Sequence, residues 1–445
     1  MPPALRTTTP LHLSRPSAAR ESLLTMFPVL SCRHGLPLAG LLLSFSVSAA
    51  PHLLPDPSGQ RAALEARGVV FDLGYTSEDA HNLSGGTRRT GTHIGQLAMG
   101  VHVDLERLQG WTGMQAQVSL SHRDGGNLDT RAGLGRLLQS QEAAGRGTLW
   151  RLGSLWVGKR WADDRFGLKV GRMAVGDDFN ALDCTAMSLT FCGSQPAMIA
   201  GDYWFNGPLS QWAVVADYAP TRQTYLRLGA YQVNPRYADE RGGGLRLAPS
   251  GTAGTLTPVE FGWQGRVNGL PGRYALGGWY SSAPRADAWR DLQGGAWRES
   301  GLPAAQRSGA YGGWASLRQQ FTRGDRSTPE AGLRGQLDLV RTDRRTGTID
   351  ATLHAIATYT GVGPRRPADQ IGIGVAATEV NPRYARRADG ADGEAKTEYT
   401  AEAFYVWQAW PGVTLQPVVQ YVVHPGGLSA AHDALVVGMK TQLDF

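Results

Sequence analysis

From Leu435 to Phe445 the chain alternates strictly. Leu435, Val437, Met439, Thr441, Leu443 and Phe445 fall on one side, with Gly438, Lys440, Gln442 and Asp444 on the other. A helix needs a period near 3.6, so a period of two dictates a β-strand with two unlike faces. The pattern recurs at 97–105, where Leu97, Met99, Val101, Val103 and Leu105 oppose Gly100, His102 and Asp104. It recurs at 333–339, with Leu333, Leu337 and Leu339 opposite Arg334, Gln336 and Asp338, and at 115–121, with Ala116, Val118 and Leu120 opposite Gln115, Gln117, Ser119 and Ser121. A chain built this way folds into antiparallel sheet, either a soluble sandwich with one wet face or a closed barrel in a membrane.

Three features favour the barrel. Trp111, Trp212, Trp407 and Trp410 sit near strand ends, where interfacial girdles lie. The rows opposite the apolar ones carry charges and amides. The last strand ends on an outward Phe445, which resembles the terminal aromatic strand by which barrel-assembly machinery recognises its clients. The chain has 58 Gly and 38 aromatic residues, a composition that excludes global disorder. No run reaches the ~18 apolar residues of a spanning helix.

The sequence therefore predicts an all-β chain, a transmembrane antiparallel β-barrel of about sixteen strands occupying 68–445. Candidate strands lie near 69–76, 94–105, 113–122, 148–160, 165–173, 203–206, 211–217, 224–232, 257–267, 273–282, 309–320, 332–340, 348–360, 370–379, 397–408, 413–423 and 433–445, and one of the two short ones is surplus. Placing the C-terminus in the periplasm makes 424–432 external and the Pro411-Gly412 turn internal. Residues 380–396, with Asp389-Gly390 and Asp392-Gly393, become a long external loop. Asn268 to Gly272 reads as another tight turn. Within 50–67, residues 58–67 are expected to form one short helix, starting after Ser58 as a cap-type residue.

Residues 1–49 read as an N-terminal extension followed by a secretory signal starting at Met26. Arg33 and His34 precede the apolar run Leu36–Val47, and Val47-Ser48-Ala49 fits a cleavage site. Loss of 1–49 lowers the net charge from +6 to +3, and the basic residues are scattered, so nucleic-acid binding is not expected. Cys32 leaves with the signal. Cys184 and Cys192 remain, an even pair in an exported chain, and are expected to form one disulfide closing a short loop.

Several ordered blocks carry a family resemblance. They are Gly59-x-Arg61-x-x-Leu64, Leu105-Glu106 with Gly110-Trp111, Val170-Gly171-Arg172 with Asp177-Asp178-Phe179, and Cys184, Cys192, Gly193 and Pro196. Further blocks are Tyr231 to Pro235, Thr257 to Glu260, Leu270 to Tyr274, Gly277 to Tyr280, Gly363 to Pro367 with Asp369, and Gln416-Pro417 with Gln420-Tyr421 and Pro425 to Gly427. In order and spacing this set resembles the carbohydrate-selective porin (OprB) family. The resemblance implies a sixteen-stranded barrel in the outer membrane of a Gram-negative bacterium that passes small sugars by diffusion.

A sugar pore needs hydrogen-bonding groups and planar apolar faces, with binding weak enough to permit exit. The Cys184–Cys192 loop is expected either to narrow the pore or to stand outside as a stiffened loop. Arg172 follows Phe166, Leu168 and Val170 in register, which points it at lipid, where charge costs about 2–4 kcal/mol at the midplane. A bend or a strand end after Gly171 is expected to put it at the pore or its rim. Asp177 and Asp178 either pair with it or stay in solvated or capping roles. Arg227, Arg273, Arg334, Glu260 and Glu402 lie on inward rows, and Tyr231 and Trp279 offer stacking or filling surfaces. These ten residues are the candidate constriction, although a generic wet lumen accounts for the five inward charges more readily than a dedicated contact. His102 and His122 read as polar lumen residues and not metal ligands. No metal or cofactor motif is present. Glucose-like monosaccharides and polyols are the expected solutes. An anion-selective or general porin, a lipase-like barrel and a structural barrel are the alternatives. The expected surroundings are outer-membrane lipid, and a monomer and a homo-trimer both fit the sequence.

Overall fold

The computed structural model describes residues 52–193, 204–324, 331–385 and 397–445. The expected signal segment 1–49 with Cys32, Pro196 of the cysteine loop, and the turn signals at 389–393 lie outside them.

Sixteen strands close into one antiparallel barrel. The first nine are β1 (Val69–Ser84), β2 (Gly91–Asp104), β3 (Met114–Gly125), β4 (Trp150–Trp161), β5 (Phe166–Met173), β6 (Gln211–Tyr218), β7 (Thr224–Val233), β8 (Gly254–Val267) and β9 (Leu270–Ser281). A hairpin outside the barrel follows, β10 (Arg285–Asp291) with β11 (Ala304–Arg307). The barrel resumes with β12 (Ala310–Gln320), β13 (Gly332–Thr342), β14 (Ile349–Thr360), β15 (Gln370–Val380), β16 (Thr397–Trp410), β17 (Val413–Val423) and β18 (Ala434–Asp444). Strand β18 pairs with β1, setting Tyr75 opposite Leu443 and Asp79 opposite Met439. No edge remains, so every strand's backbone is paired within the wall, as a lipid environment requires. Among the described residues no helix is long and apolar enough to cross a membrane.

The alternation read from the sequence sorts side chains inside from outside. On β15, Ile371, Ile373 and Val375 are exposed, whereas Gly372, Gly374 and Ala376 between them are buried. Outward aromatics form two levels. Tyr280, Tyr311, Tyr399 and Tyr421 lie towards one rim, and Phe166, Tyr218, Tyr359 and Trp410 towards the other. The second rim carries the short connections 162–165, 219–223, 268–269 and 411–412 and the terminal Phe445. Short turns mark the periplasmic side.

Four expectations change. Trp204 to Asn206 are not strand, so the surplus segment was 203–206. The β10–β11 hairpin had no period-two signal long enough to show it. The N-terminal helix spans Gln60–Ala66 with Gly59, not Ser58, at its N-cap, and no side chain caps it there. The Asp56 carboxylate reaches it instead, accepting from the Ala62 N–H at 3.0 Å. His122 is not a lumen residue. It pairs across β2 with outward Leu97, and its ring lies 5.3 Å from exposed Trp150.

The core sits inside the barrel. Phe179, Trp204, Trp279 and Trp314 form one buried cluster with Met173 and Val175. Met187, Phe191, Phe404 and Val436 form part of a second. Both mix wall residues with residues of the connection between β5 and β6, so that connection is folded into the lumen.

Candidate functional site

The inward segment, 174–193, is held by side chains from the inner wall. Both oxygens of Glu402 on β16 accept loop amides, from Met187 N–H at 2.7 Å and Ser188 N–H at 2.8 Å. Glu260 on β8 accepts from the Asn180 N–H at 2.8 Å, from Tyr225 Oη at 2.7 Å and from Trp314 Nε1 at 3.0 Å. Asn180 Nδ2 donates to Asp338 of β13 at 2.8 Å, and Gln416 Nε2 of β17 donates to the Thr185 carbonyl at 3.0 Å. Asp178 is wholly buried. Lys169 Nζ lies 2.6 Å from its Oδ1, and Tyr231 Oη donates to its Oδ2 at 2.9 Å. Arg227 donates to the Asp178 carbonyl and pairs with Asp217 at 2.6 Å. A buried charge survives only with partners of this kind.

Two wall glycines receive the loop's side chains. A Cβ on Gly374 would stand 2.9 Å from the Phe191 ring, and one on Gly438 would stand 2.6 Å from Met187 Cε. The Cys184–Cys192 disulfide spans a separation of 8 residues within the same segment.

A second connection, 126–149, lies against the first. Glu142 N–H donates to the Met187 carbonyl at 2.8 Å, and Leu189 N–H to the Gln139 carbonyl at 3.0 Å. Arg136 donates to Gln420 at 3.0 Å and to Ser188 at 3.2 Å. Together the two connections fill one side of the lumen and leave an opening against the wall of β1 to β4 and β18.

That opening is a cavity of about 210 Å³, lined among others by Gln96, Ser119, Ser121, Arg123, Glu142, Asp177, Cys184, Cys192, Lys440 and Gln442. A single water needs only ~10–15 Å³, so the cavity has room for several waters or a small solute. Its charges neutralise one another locally. Lys440 Nζ lies 3.4 Å from both Glu78 and Glu142, and Arg123 lies 3.9 Å from Glu142. Hydroxyls, amides and paired charges side by side offer donors and acceptors to a polyhydroxylated solute.

The ten residues expected at the constriction separate accordingly. Asp177 lines the cavity. Asp178, Arg227, Tyr231, Glu260 and Glu402 are nearly or fully buried and bonded as above, holding the loop from behind. Trp279 is 4 % exposed and packs in the core cluster. Arg273 is half-buried, bonded to Tyr225 Oη at 3.1 Å beside Glu260. Arg334 is partly exposed, on the inward row of Gln336 and Asp338. Arg172 requires a correction. It keeps the outward register, opposite Trp212, and no bend turns it to the pore, although β5 does end one residue later, at Met173. Its guanidinium donates at 2.6 Å to the Arg246 and Ser210 carbonyls and stacks 3.9 Å over Tyr237, covered by the connection 234–253. His102 is inward, 6.4 Å from the Trp156 ring. Among the described residues, Glu142, Cys184 and Cys192 alone group as a ligand set would, and both sulfurs are in the disulfide.

Arg123, Glu142 and Lys440 were missed. Lys440 had a signal, since it stands on the polar row of the last strand and the chain has only 4 Lys among its 44 basic residues. Glu142 had none, because its connection has no period to read.

The model of the carbohydrate-selective porin, OprB family, matches residues 88–445. The chain is 36 % identical over 419 residues to Porin B of Pseudomonas aeruginosa, covering 88 % of this chain and 91 % of that one. It is 31 % identical over 423 residues to a putative porin, QuiX, of Acinetobacter baylyi, covering 88 % and 93 %. The high-pH structure of Pseudomonas putida OprB superposes with a TM-score of 0.84 at 33 % identity, covering 89 % of this chain and 99 % of that one. The closed sixteen-stranded wall, the inward loop and these matches place the chain in the carbohydrate-selective OprB porin family, as an outer-membrane porin for carbohydrate diffusion in a Gram-negative bacterium.

Proposed function

We propose that the solutes are small neutral carbohydrates, monosaccharides and polyols, crossing passively and without chemical change through the passage beside the inward loop. The observation that carries this reading is the charge pairing at the passage. Arg123 and Lys440 lie beside Glu142 and Glu78, which leaves little net positive field to hold an anion. Hydroxyls of Ser119 and Ser121 and amides of Gln96 and Gln442 line the same wall. Asp177 faces the solute from the loop side, with Arg273 and Arg334 on inward rows elsewhere in the lumen. The terminal strand ending at Phe445 is the segment the barrel-assembly machinery would engage, and one barrel encloses the whole passage, so a trimer is not needed for transport.

The test is single-channel conductance of the refolded chain in a planar bilayer, titrated with glucose and then with phosphate. Millimolar block by glucose with little effect of phosphate supports the reading. Phosphate block with strong anion selectivity replaces it by anion uptake, and a folded but non-conducting barrel ends both.

A further inference from the structure

We propose that segment 244–250, in the connection between β7 and β8, is a lipid-facing strap. It lies across the outside of the barrel and completes the apolar belt where the wall is too short. Strands β5 and β6 have 8 residues each, below the ~9–11 of a spanning strand. The outward apolar row of β5 is Phe166, Leu168 and Val170 alone. At ~3.3 Å per residue that row rises about 13 Å along the strand, against an apolar band of about 25 Å. Above it stands Arg172, an outward guanidinium.

The strap crosses at that level, one wall strand after another. The Gly244 carbonyl accepts from Leu152 N–H of β4 at 2.9 Å. The Arg246 carbonyl accepts from Arg172 of β5 at 2.6 Å, and the Leu247 carbonyl from Trp212 Nε1 of β6 at 2.9 Å. The Pro249 carbonyl accepts from Gln232 Nε2 of β7 at 3.0 Å. Tyr237 Oη donates to the Ala248 carbonyl at 3.2 Å, and Asn234 Nδ2 to that of Ser250 at 3.3 Å. Six of the seven carbonyls between 244 and 250 are therefore satisfied within the protein.

Irregular backbone against hydrocarbon needs its polar groups satisfied internally. Six carbonyls of the strap meet that need, and on the donor side the Arg246 N–H bonds the Gly243 carbonyl at 3.3 Å. An external loop in water has no such need. Of the side chains, Leu245 and Leu247 are 57 % and 48 % exposed, as Val170 and Val214 of the lipid belt are at 47 % and 44 %, while Arg246 folds back to donate to Ser250 Oγ at 2.9 Å. Arg172 and Trp212 thus serve as donors to the strap, and the strap covers the charge that alternation sends outward. The occupant of the leucine surface is the acyl-chain region of the outer leaflet.

The test places a single added cysteine at Leu245→Cys or Leu247→Cys, labelled with an environment-sensitive fluorophore, in the full barrel in lipid vesicles. Leu228→Cys, in the belt, and Leu292→Cys, on the external hairpin, are the references. Folding of each labelled protein is confirmed by its heat-modifiable gel mobility. The expected result is quenching by brominated acyl chains within about twofold of the Leu228 label, and several-fold above the Leu292 label. Quenching of both strap labels by aqueous iodide, at the level of Leu292, overturns the proposal. Protection from both quenchers also overturns it, because a second protein copy and not lipid would then cover the leucines.

Discussion

Glu402 holds two loop amides with its two oxygens, so its loss is felt at both. A buried donor left without an acceptor costs about 1–3 kcal/mol. Glu402→Ala is expected to fold, to raise open-channel current noise and to weaken glucose block. Glu402→Gln keeps one acceptor oxygen and should fall between. Single-channel recording separates the three. Asp287 gives a pH prediction outside the membrane. Burial raises its pKa, but the Arg290 and Trp289 amides, Arg307 and Arg383 outweigh that and hold it down to about 2. It joins β10 to Arg307 of β11 and to Arg383 of the β15–β16 connection. A depressed carboxyl stabilises above its unfolded pKa, near 3.8, and loses that contribution as pH falls towards about 2. The contribution is roughly 2 kcal/mol. Hydrogen-exchange protection factors across 285–307, corrected for the intrinsic rate at each pH, should therefore be high at pH 5 and fall below pH 3, and Asp287→Asn should show low protection at both. The inward rows of Glu402 and Glu260 were legible from alternation, but their partners lie 215 and 80 residues away, in a connection without period.

At the scale of the element, the inward loop is fixed by wall bonds, by the disulfide and by fitted contacts. Closing a short loop contributes roughly 2.5 kcal/mol in the chain-entropy account. Replacing both Cys184 and Cys192 by Ser should lower the midpoint of thermal unfolding modestly, by the loss of that contribution, while the wall bonds keep the loop in the lumen and the conductance becomes noisier. Gly438→Leu has a different consequence. The new side chain takes the space of Met187 Cε, 2.6 Å from the ideal Cβ, so the loop must lift from the wall. Unit conductance should change by more than in the cysteine variant, with strand content by circular dichroism preserved. The cysteine pair was legible as a loop closure. Its inward position was not, because the spacing of two cysteines says nothing about which side of a wall the loop takes.

The whole molecule is a closed wall around an off-centre cavity in which cations and acids stand side by side. Its reversal potential in a salt gradient is expected to show weak cation preference at most, since Arg123 and Lys440 are matched by Glu78 and Glu142 and Asp177 adds one acid. Lys440→Gln removes one cation and should shift the reversal potential towards cation selectivity. Unchanged selectivity would place the limiting constriction elsewhere. Alternation along the chain determined the wall by itself, because a strand's side-chain period is a local property and lipid outside with water inside reads it directly. Turn residues such as Pro411-Gly412 likewise set the short periplasmic rim. Only the tertiary structure decided what fills the lumen and what covers the outside. Arg172 kept its outward register, and a strap from another connection met it there. Loop backbones carry no period, and their hydrogen bonds run to residues far off in sequence, so the passage they leave open exists only once the barrel has closed.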